Sequence, residues 1–149
     1  MKQNRLSVFM GAWESEKMAT ERGTDVHARL ARIRFINGDF VGDSDIVAKI
    51  KSNAELCEIM GVLSRAEVPL VGYVNDVFLS RRIDRLYVNE NTKTIVVLDY
   101  KTDVDKKMYY QKYRVQLMEY RDLLKQIYPS FNILCKILWI HDFTLENVI

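Results

Sequence analysis

The sequence predicts a layered fold of the α/β or α+β type, in which helices pack against a mixed central sheet. A pattern of β-branched and aromatic residues, typical of a β-hairpin, runs from Val77 to Tyr100. A helical pattern without glycine or proline follows from Met108 to Tyr128, and a strand-like apolar run follows from Ile133 to His141. Strands and helices in this order build domains in which helices cover a sheet.

Length and composition indicate one globular domain, residues 1–149. Hydrophobic residues are 48% and charged residues 28%, and the net charge of +2 means that nucleic-acid binding has to be argued from local patches. Cys57 and Cys135 are too few for an iron–sulfur cluster, and we expect them to be thiols in a reducing compartment, the cytoplasm. No apolar run approaches the length of a membrane span and no secretory signal is visible.

The N-terminal part, residues 1–62, is predicted to be mostly helical. Thr24 is a suitable cap for one helix, and the turn residues Asn37–Asp39 end that helix. Gly61 ends the last helix of this part. The predicted helices span residues 4–20, 25–35 and 44–60.

The C-terminal part, residues 63–149, is predicted to be a core of sheet and helix. Pro69 indicates an edge strand or a strand start. A turn at Asn89–Asn91 joins the two strands of the hairpin, and Pro129 ends the long helix. The residues after His141 are expected to be a frayed end.

Two carboxylates and a lysine mark the candidate site. Asp99 and Lys101 are two residues apart on a strand, so both point to one face of the sheet. If Asp84 lies near Asp99 across the hairpin, two acids and one amine converge. Close carboxylates repel unless a cation lies between them, and oxygen ligands suit Mg²⁺ or Mn²⁺. Asp99 also ends the apolar run Ile95–Leu98, at the end of a buried strand where α/β folds bind ligands.

A second interpretation of these charges stays open at this point. Asp99 and Lys101 would form a surface ion pair, because charges at the rim of a sheet are usually solvated. Asp84 would then pair with a neighbouring arginine, namely Arg81, Arg82 or Arg85.

The long helix carries polar groups that need an explanation. Gln116 and Tyr120 are four residues apart, so they share a helix face that is otherwise apolar and need hydrogen-bond partners there. Residues 101–125 contain seven basic and four acidic side chains. This balance favours a modest phosphate-binding patch, although a solvated helix face explains it equally well.

Four motifs in order resemble those of the RecB-like nucleases of the PD-(D/E)xK superfamily, and most of all the C-terminal nuclease domain of AddA- and RecB-type helicase–nucleases. The resemblance extends from Gly23 to the last strand. The motifs are Gly23-Thr24-Asp25-Val26-His27, Ile83-Asp84-Arg85, Asp99-Tyr100-Lys101-Thr102 and Gln116-Leu117-Met118-Glu119-Tyr120.

The resemblance implies a restriction-endonuclease-like fold with extra N-terminal helices and metal-dependent hydrolysis of DNA. Asp84 and Asp99 would be the metal-binding carboxylates, and the backbone carbonyl of Tyr100 would be a further ligand. Lys101 would position or activate the attacking water, and His27 would be an additional metal ligand.

The resemblance also implies residues that line the site and contact DNA. Arg82 stands where the family often has glycine, so it would change strand packing or add a phosphate contact. Glu67 resembles a peripheral acid of some members, whereas His141 is expected to be structural. The residues implied to line the site are Gln116, Tyr120, Arg82, Arg85 and Thr102.

The function implied is that of an exonuclease domain in an ATP-dependent helicase–nuclease for double-strand-break repair and recombination. Its partners would be DNA and a helicase portion of the same polypeptide or complex, with no membrane. The chain has no Walker-type loop and no four-cysteine cluster, so we expect neither a nucleotide site nor an iron–sulfur cluster in it. A stand-alone small nuclease is the less favoured arrangement. A catalytically silent binding module, a structure-specific endonuclease and an RNA-directed enzyme are the alternative functions.

Overall fold

The computed structural model describes residues 25–149, in which a five-stranded sheet lies between helices. The predicted helix over residues 4–20 and Thr24, the predicted cap of the helix over residues 25–35, lie outside the described residues. The elements are α1 (residues 25–31), β1 (Arg34–Ile36), β2 (Asp39–Val41), α2 (Ser44–Lys51), α3 (Ala54–Ile59), β3 (Ser64–Val74), β4 (Val77–Asn89), β5 (Thr94–Lys101), α4 (Lys106–Ile127), β6 (Asn132–Trp139) and β7 (Thr144–Asn147).

The sheet is mixed, as predicted. Its strand order is β3-β4-β5-β6-β7, and every neighbouring pair is antiparallel except β5 and β6, which are parallel. The helix α4 makes the crossover that a parallel pair requires. Strands β1 and β2 form a separate small hairpin.

Both faces of the sheet are covered near its centre. Ile95 and Val97 of β5 belong to the core cluster that includes the buried face of α4, while Val96 and Leu98 belong to the cluster that includes buried residues of α1, α2 and α3. A strand buried on both faces needs apolar residues at successive positions. This explains why β5 has a continuous apolar run before Asp99.

The helices begin where side chains satisfy their free backbone N–H groups. Asp43 caps α2, Asn53 caps α3 and Asp105 caps α4, each by accepting hydrogen bonds from backbone N–H groups in the first turn. The single helix predicted over residues 44–60 is therefore wrong, because Asn53 accepts from the N–H of Leu56 and begins a second helix.

Two further predictions of secondary structure are wrong. The helix predicted over residues 25–35 ends at residue 31, since Asn37 and Gly38, with φ of 51° and 82°, form the tight turn of the β1–β2 hairpin. The residues after His141 are not frayed throughout, because β7 pairs with β6 along Thr144–Asn147. Within residues 25–149, no helix is long and apolar enough to cross a membrane.

Candidate active site

The site lies where β4 and β5 diverge. The last paired residues of these strands are Arg85 and Leu98, so Asp84 and Asp99 are the next opposing positions. The backbone N–H of Tyr100 donates to Asp84 Oδ2 at 2.8 Å. The Asp84 side chain therefore satisfies a backbone donor just beyond the paired part of the hairpin.

The regular alternation of β4 is interrupted at the same point. Ile83 and Leu86 are three residues apart, yet both belong to the core cluster on the α4 face. An odd spacing on one face requires a bulge or twist between the two residues. On β3, Glu67 lies between paired positions with φ of 52°, a left-handed conformation that is uncommon for a non-glycine residue. The irregular backbone thus surrounds Asp84.

His27 reaches Asp84 from α1. Its Nε2 atom lies 3.2 Å from Asp84 Oδ2, and its ring is edge-on to the ring of Tyr100 at a centroid distance of 5.8 Å. The structure therefore brings the histidine of the first motif to the carboxylate of the second. A role for His27 as a metal ligand remains a prediction.

A chain of polar contacts connects Asp99 to α4. Lys101 Nζ lies 2.9 Å from Asp99 Oδ2 and donates to Gln116 Oε1 at 3.1 Å. Gln116 Nε2 in turn donates to the hydroxyl of Tyr120 at 2.8 Å. Gln116 and Tyr120 thus have the partners that their place on an apolar helix face requires. Their contacts reach the lysine of the candidate site.

The two carboxylates have opposite pKa shifts. Burial raises the pKa of Asp99 to about 6, the nearby Asp84 charge adds to this shift, and Lys101 opposes it. Burial also opposes ionisation of Asp84, but hydrogen bonds from His27 and from the Tyr100 N–H outweigh burial and hold the pKa of Asp84 below its ordinary value. Asp84 is therefore the more readily ionised of the two acids.

The donor set suits a hard divalent cation. Asp99 Oδ2 is buried and accepts no hydrogen bond of good geometry, its close contact being the Lys101 ammonium. Among residues 25–149, no group of three histidine, cysteine or acidic side chains is arranged to hold a metal ion. Mg²⁺ is commonly held by one or two carboxylates, with water and substrate phosphate completing its shell. Asp84 and Asp99 therefore fit such an ion, with further ligands from outside this pair.

The arginines near Asp84 have other partners. Arg81 pairs with Glu119 of α4 at 3.2 Å, and Arg82 lies 4.0 Å from Glu67 at the exposed surface. The interpretation of Asp84 as one half of an arginine ion pair is thus wrong. Asp99 does pair with Lys101, but the pair is largely buried and not at the surface. Glu67 contacts the exposed Arg82, and its proposed role as a peripheral acid remains a prediction.

Arg85 does not line the site. Its side chain is buried on the other side of the sheet, with only 3% of the residue exposed, and it donates to Tyr100 Oη at 3.2 Å. It also donates to two carbonyl oxygens at the end of α1, that of Leu30 within the helix at 3.0 Å and that of Ile33 just after it at 3.1 Å. The expectation that Arg85 contacts DNA is corrected, because no phosphate can reach this guanidinium without displacing α1. Thr102 is exposed directly after β5, as a site-lining residue requires.

Two residues that the motifs did not indicate complete the surroundings of Lys101. The ammonium lies 4.2 Å from the centroid of the Tyr113 ring, and the Tyr113 hydroxyl donates to Asp103 Oδ2. Tyr113 precedes Gln116 by three residues, so helical spacing alone places both on one face of α4. The sequence signals for these two residues were the helical spacing of Tyr113 and Gln116 and the position of Asp103 in the polar loop after Lys101.

Residues 47–133, more than half of the chain, match the model of a family described as the PD-(D/E)XK nuclease superfamily. The matched segment contains Asp84, Asp99 and Lys101, and the mixed sheet between helices is consistent with the restriction-endonuclease-like fold of this superfamily. The chain is therefore a member of the PD-(D/E)XK nuclease superfamily. Members generally use divalent metal ions. No curated protein matches the chain.

Proposed function

We propose that this chain is a Mg²⁺- or Mn²⁺-dependent deoxyribonuclease. Asp84, Asp99 and Lys101 are its proposed catalytic residues for the hydrolysis of phosphodiester bonds. The observation that carries the proposal is the convergence of these three side chains where the pairing of β4 with β5 ends, inside the segment that matches the nuclease superfamily. Asp99 is only 4% exposed in its side chain, yet it carries no hydrogen bond that would satisfy Oδ2 as a purely structural acid.

Each side chain has a distinct role in this proposal. Asp84 and Asp99 would hold the cation, together with the backbone carbonyl of Tyr100 and with His27 beside Asp84. A cation held there supplies positive charge against the phosphate and favours deprotonation of the attacking water. Lys101 donates an N–H toward the charge that develops on the phosphate, and Gln116 fixes the direction of its ammonium.

DNA would approach from the exposed side of this group. Thr102, directly after β5, and Arg82, within β4 two residues before Asp84, are both exposed. Arg82 adds a positive charge that suits a phosphate, and Tyr120 keeps Gln116 oriented. We therefore propose Gln116, Tyr120, Arg82 and Thr102 as site-lining residues, with Glu67 as a peripheral acid.

The more specific proposal is a RecB-like exonuclease domain of a helicase–nuclease that acts in double-strand-break repair and recombination. Its support is the order of the four motifs and the contact that His27 makes with Asp84. In this proposal residues 1–149 form one nuclease domain, DNA is the substrate, and a helicase portion delivers the strand. Both cysteines are free thiols, in keeping with the reducing cytoplasm.

The test is a cleavage assay with the single substitutions Asp84→Ala, Asp99→Ala and Lys101→Ala. Each is expected to lower kcat by at least about 10²-fold, because each removes a charge from the reacting centre. Asp45→Ala is the matched control, since Asp45 is an exposed acid in the first turn of α2. It should cleave at the wild-type rate.

The choice of substrate separates the alternatives. Cleavage of linear DNA with circular single-stranded DNA left intact supports an exonuclease. Cleavage of the circle supports a structure-specific endonuclease, and a preference for RNA supports an RNA-directed enzyme. DNA binding without cleavage, in Mg²⁺ and in Mn²⁺, would overturn the proposed activity in favour of a binding module.

A further inference from the structure

Lys101 is held by three groups, one on its own strand β5 and two on the helix α4. Asp99 lies on its own strand at 2.9 Å, Gln116 on α4 at 3.1 Å, and the ring of Tyr113 on α4 at 4.2 Å from the ring centroid. An ammonium has three N–H groups. The Gln116 amide oxygen accepts from one of them, while the Asp99 carboxylate at 2.9 Å and the face of the ring both attract the positive charge.

The Tyr113 ring is itself held in place. Its hydroxyl donates to Asp103 in the loop between β5 and α4, and its ring stacks on Tyr109 at a centroid distance of 6.0 Å. The ring also contacts Trp139 at 6.1 Å. Burial, and next the neighbouring Asp103, raise the pKa of Tyr113, so the hydroxyl stays protonated and remains a donor.

We propose that Tyr113, oriented by Asp103, is a positioning residue for Lys101. This inference rests on the proposed nuclease function. A lysine side chain has a flexible four-carbon stem, so its ammonium takes one direction only if neighbouring groups restrict it. The negative face of an aromatic ring attracts an ammonium, and this attraction is larger where water is partly excluded, as it is around Lys101, whose side chain is 16% exposed.

The ring has a function that Asp99 does not supply. If Asp99 binds a cation, its attraction for Lys101 is shared with that cation. The Tyr113 ring is uncharged and does not compete for the cation, so its contact with the ammonium persists. The ring therefore keeps Lys101 beside Asp99 during cleavage.

The experiment compares wild type with Tyr113→Phe and Tyr113→Leu. The phenylalanine retains the ring face, while the leucine removes it and leaves a smaller apolar side chain. We expect kcat to fall about tenfold in the leucine variant with KM changed by less than about twofold, since the ring does not bind DNA, and we expect the phenylalanine variant to recover most of kcat. Tyr110→Leu is the matched control, because it makes the same change at a partly exposed tyrosine on the same helix.

A spectroscopic measurement distinguishes positioning from a structural effect. The ε-methylene protons of Lys101 lie near an aromatic face, so their NMR signals are expected upfield of the other lysines in wild type and in Tyr113→Phe. The upfield shift is expected to disappear in Tyr113→Leu while the remaining amide spectrum stays folded. An absent shift in the folded wild type would overturn the contact.

The kinetic outcomes separate this inference from the proposed function. Wild-type kcat in Tyr113→Leu, with the upfield shift lost, would overturn the positioning role and leave the nuclease proposal intact. No cleavage by the wild type in Mg²⁺ or Mn²⁺ would overturn the nuclease proposal, and with it any role for Tyr113 in that reaction.

Discussion

At the scale of single residues, Asp84 and Asp99 carry the same chemical group but lie in different environments. Asp84 accepts hydrogen bonds that stabilise its charged form, from His27 and from the Tyr100 N–H. Asp99 has lost its hydration to burial and is compensated mainly by Lys101. The pKa of Asp99 is thus raised to about 6. A carboxylate with such a raised pKa is typical of a functional site.

The raised pKa of Asp99 predicts a stability cost that depends on pH. The folded protein binds the Asp99 proton more tightly than the unfolded chain, so the free energy of unfolding falls as pH rises from the ordinary aspartate value of 3.8 to about 6. Asp99→Asn removes this dependence. We expect the variant to gain about 2–3 kcal/mol relative to wild type between pH 4 and pH 7, measured by urea unfolding in EDTA. Asp84 is coupled to Asp99, so the difference between the two proteins also contains the change that the substitution makes in the pKa of Asp84.

A stability difference that is constant across this range would contradict the shifted pKa of Asp99. The buffer has to be free of divalent cations, because a bound cation favours the ionised carboxylate and masks the dependence.

The motifs predicted well which residues lie together at the site, but they predicted less well which partners each of these side chains contacts. Asp84, Asp99 and Lys101 were placed by strand spacing and a hairpin, which are local rules. The burial of Arg85 was not predictable, because its partners Leu30 and Ile33 lie more than fifty positions away. Sequence spacing fixes the face of an element and leaves open which element covers that face.

At the scale of elements, Arg85 anchors α1 to the sheet. Its guanidinium donates to the carbonyl oxygens of Leu30 and Ile33 at the end of the helix, and also to Tyr100 Oη. The Leu30 carbonyl also accepts from the Ile33 N–H at 3.1 Å, so Arg85 is the second donor to Leu30 and the donor that satisfies the Ile33 carbonyl. Because α1 carries His27, the anchor also keeps the imidazole beside Asp84.

Replacing Arg85 by methionine is expected to destabilise the protein by about 3 kcal/mol. The substitution keeps a long apolar stem but removes the donor to the buried Ile33 carbonyl and to the Tyr100 hydroxyl, and an unsatisfied buried group costs about 1–3 kcal/mol. Urea unfolding measures the loss. Hydrogen exchange should show the largest increase at the amides of α1, because that helix loses its attachment.

Arg82→Met is the matched control, since it makes the same change on the same strand at an exposed position. It should alter the free energy of unfolding by less than about 0.5 kcal/mol. Equal losses in the two variants would show that Arg85 acts through its charge in general and not through its contacts with α1.

The errors in the predicted elements have a common cause. Helical periodicity continued across residues 44–60 and 25–35, but single side chains decided the boundaries. The Asn53 amide begins a new helix, and the turn at Asn37 and Gly38 reverses the chain into a hairpin. Capping and turn geometry override periodicity over a few residues, so element type was predicted better than element ends.

At the scale of the whole molecule, the site joins two cores. One cluster packs between the sheet and α4, the other between the sheet and α1 to α3, and the site takes His27 from one side and Gln116 from the other. The sequence predicted the hairpin and the mixed character of the sheet. The pairing of β7 with β6 was not predicted, because a short polar strand has no periodicity strong enough to distinguish it from a frayed end.

Since the carboxylates belong to elements that are held together only in the folded chain, a cation bound by them must stabilise the whole fold. The unfolded chain has no such site, so binding adds about 2.7 kcal/mol when Mn²⁺ is present at about a hundred times its Kd. For a domain of this size that corresponds to an increase in Tm of about 5–10 °C, measured by scanning calorimetry against an EDTA sample. We expect Asp84→Asn and Asp99→Asn each to lose most of the increase, while Asp45→Asn retains it. An unchanged increase in both site variants would place the bound cation elsewhere on the protein and would separate the two carboxylates from metal binding.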